Sequence, residues 1–167
     1  TINTDLSSPV DGLNKKTTST RIGYYLLKLM RTDANLDPAG LTTKRHFYTH
    51  VRWTEIYLNY AEAANEAWGP DNDPNGYGFT ARQIIGQIRN RAGIDQPDNY
   101  LSSMGTQAEL HDLIRNERRL ALCFEGFRFW DLRRWQSDLT DKAKGVSINA
   151  GVYTPIDVEN RVYPTYA

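Results

Sequence analysis

Apolar residues return at helical spacing in three stretches of the chain. Over residues 51–68, Trp53, Ile56, Tyr57, Tyr60, Ala61, Ala64 and Ala67 fall three and four apart, which predicts one buried stripe on a helix. Gly69 and Pro70 then stop it. A second helix is predicted over 81–92, opened by a capping box of Thr80 with Gln83 and closed by Gly93. Its expected buried face is Ile84, Ile85, Ile88 and Ala92. A third starts at Thr106 with Glu109 as capping partner, buries Leu110, Leu113, Ile114 and Leu120, and runs into a stretch dense in charge and rings.

Outside these helices the pattern weakens. Residues 1–20 read as loop, with Pro9, Gly12 and a run of Ser and Thr. Residues 21–31, RIGYYLLKLMR, are apolar on both alternating faces and predict a strand or extended segment. Residues 32–45 read as loop around Asp37, Pro38 and Gly40, and 94–105 as loop around Pro97. From Ser137 the chain reads as mostly irregular, broken by Gly145, Gly151, Pro155 and Pro164, with short strands near 146–148 and 152–154. The expected fold is therefore mainly α, built of helix pairs with irregular loops and a few short strands. As one domain, 1–167 divides into a loop (1–20), a helical core (51–135) and an irregular tail (136–167).

Residues 117–135, ERRLALCFEGFRFWDLRRW, organise the reading. On a helix, Glu117 is surrounded by Leu113, Ile114, Leu120 and Ala121. A carboxylate on an apolar face requires a cationic partner, because burying it alone is costly. Arg89 or Arg91 on the preceding helix can supply that partner, and spacing does not choose between them. Arg118 follows directly, and Glu125, Arg128, Asp131 and Arg134 recur every third residue with alternating sign. If the helix continues or restarts after Gly126, they form a charged ladder among Phe124, Phe127, Phe129, Trp130, Leu132 and Trp135. Either Glu117 and Glu125 are an acid–base pair, or the set is a structural ion-pair clasp. The clasp is preferred, since structural ion-pair networks recur in folds without catalysis and no nucleophile, metal cluster or phosphate loop lies nearby.

Charge narrows the partners. The chain carries 20 basic and 20 acidic residues, which argues against nucleic acid or an anionic membrane as main partner. No apolar run reaches membrane-spanning length. The polar, turn-rich opening TINTDLSSPVDGLNKK has no signal-peptide pattern and reads as the later part of a longer protein. Cys123 stands alone between Leu122 and Phe124 and reads as a small buried hydrophobe. His46 and His50 have helical metal-ligand spacing, but no carboxylate stands at matching intervals. Asp71, Asp73, Asn75 and Gly76 copy half of a calcium loop, yet the twelfth position is Arg82 and Pro74 stiffens the middle, so a helix–helix turn is the preferred reading. No nucleotide, zincin or nucleophile-elbow motif occurs, and neither metal nor cofactor is implied.

Glu-Arg-Arg at 117–119, Phe-Glu-Gly at 124–126, Arg128 and Trp-Asp-Leu-Arg-Arg-Trp at 130–135 closely resemble the C-terminal signature of the SusD/RagB family. RWTEIYLNYAEA at 52–63 resembles the family's R-x-A-E-x-x-L-x-Y-A-E-A helix, with Trp53 and Thr54 where the family usually has Tyr-Ala. The tail TPID at 154–157 looks like its closing F-P-I-P, departing at Thr154 and Asp157, and 21–30 is similar to its G-Y-Y-x-x-K strand. The resemblance implies a scaffold of tetratricopeptide-like helix pairs; Trp53, Ile56 and Tyr60 fit the first helix of such a repeat, although Tyr57 stands where its Gly is expected.

The resemblance further implies a non-catalytic surface lipoprotein of Gram-negative bacteria. Such a protein captures an oligosaccharide, or in some members a peptide, and passes it to a SusC-like TonB-dependent transporter. Its membrane contact is a lipid anchor outside this sequence. Sugar-binding sites of this kind are shallow aromatic platforms with nearby polar groups. Tyr48 and Tyr77, aromatics in predicted loops, are the candidate binding residues. Two other classes stand beside this one: a tetratricopeptide-type protein-interaction domain with no small ligand, and a glycosidase using Glu117 and Glu125, which the apolar neighbours of Glu117 argue against.

Overall fold

A computed structural model describes residues 2–140 and 142–159. Pro164, expected as a breaker of the tail, lies outside the described residues. The chain forms two compact units, Phe47–Trp130 and the pair of segments Thr1–His46 and Asp131–Ala167.

The first of these units is helical. It contains α1 (Trp53–Trp68), α2 (Ala81–Arg91), the single turn α3 (Asn99–Ser102) and α4 (Gln107–Ala121), and α5 (Phe127–Arg134) begins in it. Both expected capping boxes form: Thr80 accepts from the Gln83 amide and Thr106 from the Glu109 amide, with each N3 side chain returning to the cap. Two orphan amides at each helix start are thereby satisfied. The turn α3, within a stretch read as loop, is capped by Asp98, which accepts from the Leu101 amide at 3.0 Å.

Side-chain bonds fix the helix directions. Arg82 N donates to Pro70 O, and Arg91 Nη2 donates to Thr54 Oγ1, so α2 runs antiparallel to α1. Gln107 Nε2 reaches Asn65 O at 2.6 Å, Asn65 Nδ2 reaches Gln107 O at 2.9 Å, and Arg118 Nη1 reaches Asn59 Oδ1 at 2.6 Å. Hence α4 also runs antiparallel to α1. The core between the helices is Leu58, Ala61, Ala64, Ala81, Ile84, Ile85, Ile88, Leu101, Leu110, Leu113, Ile114 and Leu122. Each large aliphatic side chain buried there contributes about 1.5–3 kcal/mol.

The buried face of α1 differs from the expected stripe. Thr54, Leu58, Ala61, Ala64 and Asn65 are buried, while Trp53, Ile56 and Tyr57 are exposed. Both α2 and α4 pack on α1, so its inner face is the one carrying Leu58 and Asn65 with the smaller Thr54, Ala61 and Ala64. The bulky rings stand on the adjoining face. Leu120 and Ala92, expected inside, are exposed, and Leu122 is buried instead.

The second unit holds an antiparallel hairpin, β1 (Ala143–Asn149) paired with β2 (Val152–Glu159). It is longer than the short strands expected there, and Pro155 sits within β2 opposite Val146. In a two-stranded sheet both strands are edges, where a missing amide is tolerated. Residues 21–31 form no strand, in contrast to their alternation: among the described residues a single backbone bond, Val146 N to Ile22 O, links them to the hairpin, whereas a strand needs a continuous ladder of partners. That one approach is close. A Cβ on Gly23 (φ +80) would stand 1.9 Å from Val146 O, and one on Gly145 would stand 2.5 Å from Ile22 O.

Candidate functional site

Glu117 and Glu125, near the end of the helical unit, each pair with an arginine from elsewhere in it. Arg89 Nη1 donates to Glu117 Oε1 at 2.5 Å, and Arg89 Nε donates to Asp98 Oδ2 at 2.5 Å. All three residues are buried. The choice left open between Arg89 and Arg91 thus falls on Arg89, with Asp98 as a second acid. The Arg89 guanidinium holds the Asp98 carboxyl below the ordinary carboxylate range, while burial opposes the shift. Its two acids in turn raise Arg89. The guanidinium also lies 5.5 Å from the Tyr100 ring.

The helix α4 ends before Glu125, and Phe124 (φ 62) and Gly126 (φ 85) turn the chain ahead of α5. Glu125 therefore lies off any helical ladder and meets Arg52 in a bidentate pair, Nε to Oε2 at 2.8 Å and Nη2 to Oε1 at 2.7 Å. Arg52 also donates to Ala121 O. Arg118 stands 5.6 Å from the Phe127 ring and donates to Asn59. Arg128 is half-buried in the first turn of α5. In the other unit, Arg134 approaches the buried Asp131 at 3.3 Å. Cys123 is half-buried.

The two tyrosines singled out in the sequence lie on the surface. Tyr48 is exposed, with its ring edge-on to His50 at 5.1 Å. The segment carrying His50 is not helical, so the helical spacing of His46 and His50 does not apply. Tyr77 is exposed at the α1–α2 turn, 6.0 Å from Trp68 and 6.4 Å from Tyr60. Asp73 shapes that turn by accepting from Tyr77 N and Gly78 N, and Asp71 pairs with Arg82 at 2.7 Å. A shallow depression beside it is lined by Trp68, Asn72, Asp73 and Pro74.

A more defined recess was missed by sequence reasoning. Trp53, Thr54, Tyr57, Gln87, Ile88 and Arg91 line a groove of about 240 Å³ between α1 and α2. Trp53 is 74% exposed and Tyr57 38%. Their positions, four apart, put both rings on one helix face, with centroids 6.1 Å apart and planes at 35°. The sequence signal was present in the stripe containing Trp53 and Tyr57, but that stripe was read as core. Chemically the groove offers flat apolar area beside the Gln87 amide and the Arg91 guanidinium, an arrangement suited to binding. Among the described residues, no three His, Cys, Asp or Glu side chains gather to hold a metal ion. No helix among them is long and apolar enough to cross a membrane.

No curated protein and no solved structure matches the chain. A family model, described as the SusD family, matches residues 3–165. With nearly its whole length matched, the chain belongs to the SusD family, whose members generally bind glycans or other nutrients at the cell surface without catalysing a reaction.

Proposed function

We propose that this chain is part of a surface-exposed, lipid-anchored outer-membrane protein that captures an oligosaccharide and delivers it to a SusC-like TonB-dependent transporter. The observation that carries this reading is the family match across residues 3–165. The α1–α2 groove is its ligand-binding surface: the rings of Trp53 and Tyr57 stack on a sugar face, and Gln87 and Arg91 bond its hydroxyls. Tyr77, beside Trp68, is a second contact, and Tyr48 a third. Glu117, Arg118, Glu125, Arg128, Asp131 and Arg134 serve structure in this proposal and touch no ligand.

Affinity gels and isothermal titration against a glycan panel test the reading. Binding of at least one oligosaccharide, lost in W53A, is the expected result; failure of every glycan to bind overturns it. Capture of a barrel transporter by the tethered protein tests delivery separately.

A second reading has one observation in its favour. The antiparallel pair α1–α2, with an outward face on α1, suits a tetratricopeptide-like unit that grips a protein segment with no small ligand. A peptide or protein that binds where no glycan does would establish it.

A further inference from the structure

The groove between α1 and α2 has a chemical bias of its own. Arg91 is the only charged residue among the six that line it. Its one bond is Nη2 to the neutral Thr54 Oγ1 at 3.2 Å, and it has no carboxylate partner among the described residues. The contrast within the unit is sharp: Arg52, Arg82 and Arg89 each hold a carboxylate at 2.5–2.7 Å. Arg91 is exposed and lines the groove together with Trp53 and Tyr57. A guanidinium without an acid, next to a two-ring platform, matches a ligand carrying both a flat apolar face and an anionic group. At about 240 Å³, somewhat below the usual range for drug-sized ligands, the recess suits one ring at a time.

We infer that the Trp53–Arg91 groove selects an acidic saccharide, one sugar ring lying on Trp53 and Tyr57 with its carboxylate or sulfate on Arg91. The inference rests on the saccharide-binding reading above and adds the class of sugar. Thr54 orients the guanidinium through its hydroxyl, and Gln87 remains to bond a ring hydroxyl. Because Arg stays charged across the accessible pH range, the preference follows the ligand's own charge and weakens with added salt.

The test is titration of the 167-residue chain with three tetrasaccharides of equal length: a galacturonate, a sulfated galactan and a neutral galactan. An acidic aspartate peptide serves as the fourth probe. At low salt the galacturonate, the sulfated galactan or both should bind at least tenfold more tightly than the neutral galactan, and which of them does identifies the anion. In R91Q the acidic and neutral affinities should converge, R91K should restore part of the gap, and W53A should lose all saccharide binding. Circular dichroism on each variant separates these effects from unfolding. Equal wild-type affinity for acidic and neutral sugars sinks this inference and leaves the saccharide reading standing. A preference unchanged in R91Q also sinks it, and so does an aspartate peptide bound as tightly as the uronate. No binding of any saccharide sinks both.

Discussion

Arg89 on α2 and Glu117 on α4 meet in a buried ion pair, Nη1 to Oε1 at 2.5 Å. The same guanidinium holds Asp98 in front of α3. Three elements of the helical unit are thereby tied to one cation. Buried ion pairs add little net stability compared with apolar packing, but removing one partner is costly because the other charge stays behind.

That asymmetry predicts unequal variants. Arg89→Met leaves two buried acids without their cation and should cost about 3–5 kcal/mol. Glu117→Gln leaves Arg89 its Asp98 and should cost about 1–3 kcal/mol. Urea unfolding of both variants checks the order. An E117Q chain as stable as the parent would show that Glu117 serves something other than the fold.

Acid should weaken the same cluster. The folded-state value of Asp98 is depressed by Arg89, so its contribution is fully present above the unfolded carboxylate value, about 3.9. It is lost as pH falls through the lower folded value. Asp98→Asn should therefore destabilise at neutral pH, and the gap to the parent should close as pH drops below about 3.9. Thermal melts across that window measure it. A gap that widens on acidification would contradict the assignment.

Helix starts offer a cleaner measurement. Thr80→Ala and Thr106→Ala each break one capping box and should each cost about 1 kcal/mol. The two caps belong to different helices and share no partner, so the double variant should show the sum within about 0.5 kcal/mol.

Ligand binding should separate the aromatic groups. Trp53→Ala should abolish saccharide binding, since it removes the largest exposed ring of the groove. Tyr77→Ala and Tyr48→Ala should each have a smaller effect. Titration with the best-binding glycan ranks them, and a Tyr77 effect larger than that of Trp53 would move the site to the α1–α2 turn.

Much of the helical unit was legible because its signals are local. A capping box is written within four residues, as at Thr80 and Thr106, and the aliphatic faces of α2 and α4 follow from a 3.6-residue period. The demand of Glu117 for a cation was equally legible, because desolvation of a carboxylate depends on its own apolar neighbours. Residues 21–31 misled because alternation describes a chain able to pair, and pairing depends on a ladder elsewhere. The hairpin was underestimated for the complementary reason: Pro155 is excluded from an inner strand, and only the sheet's two-strand extent makes its position an edge.

The sequence by itself determined the capped starts of α2 and α4, that Ile84, Ile85, Ile88, Leu110, Leu113 and Ile114 are buried, and that the acid at 117 must be neutralised, since each rests on interactions within a few turns of chain. The tertiary structure alone decided that Arg89 and not Arg91 meets Glu117, that Glu125 turns to Arg52, and that Trp53 and Tyr57 face outward. Periodicity fixes which residues share a helix face, but the rotation of that helix is set by what packs against it. On α1, the two packed helices cover the face of Thr54, Leu58, Ala61, Ala64 and Asn65, and the bulky rings of Trp53 and Tyr57 are left outside.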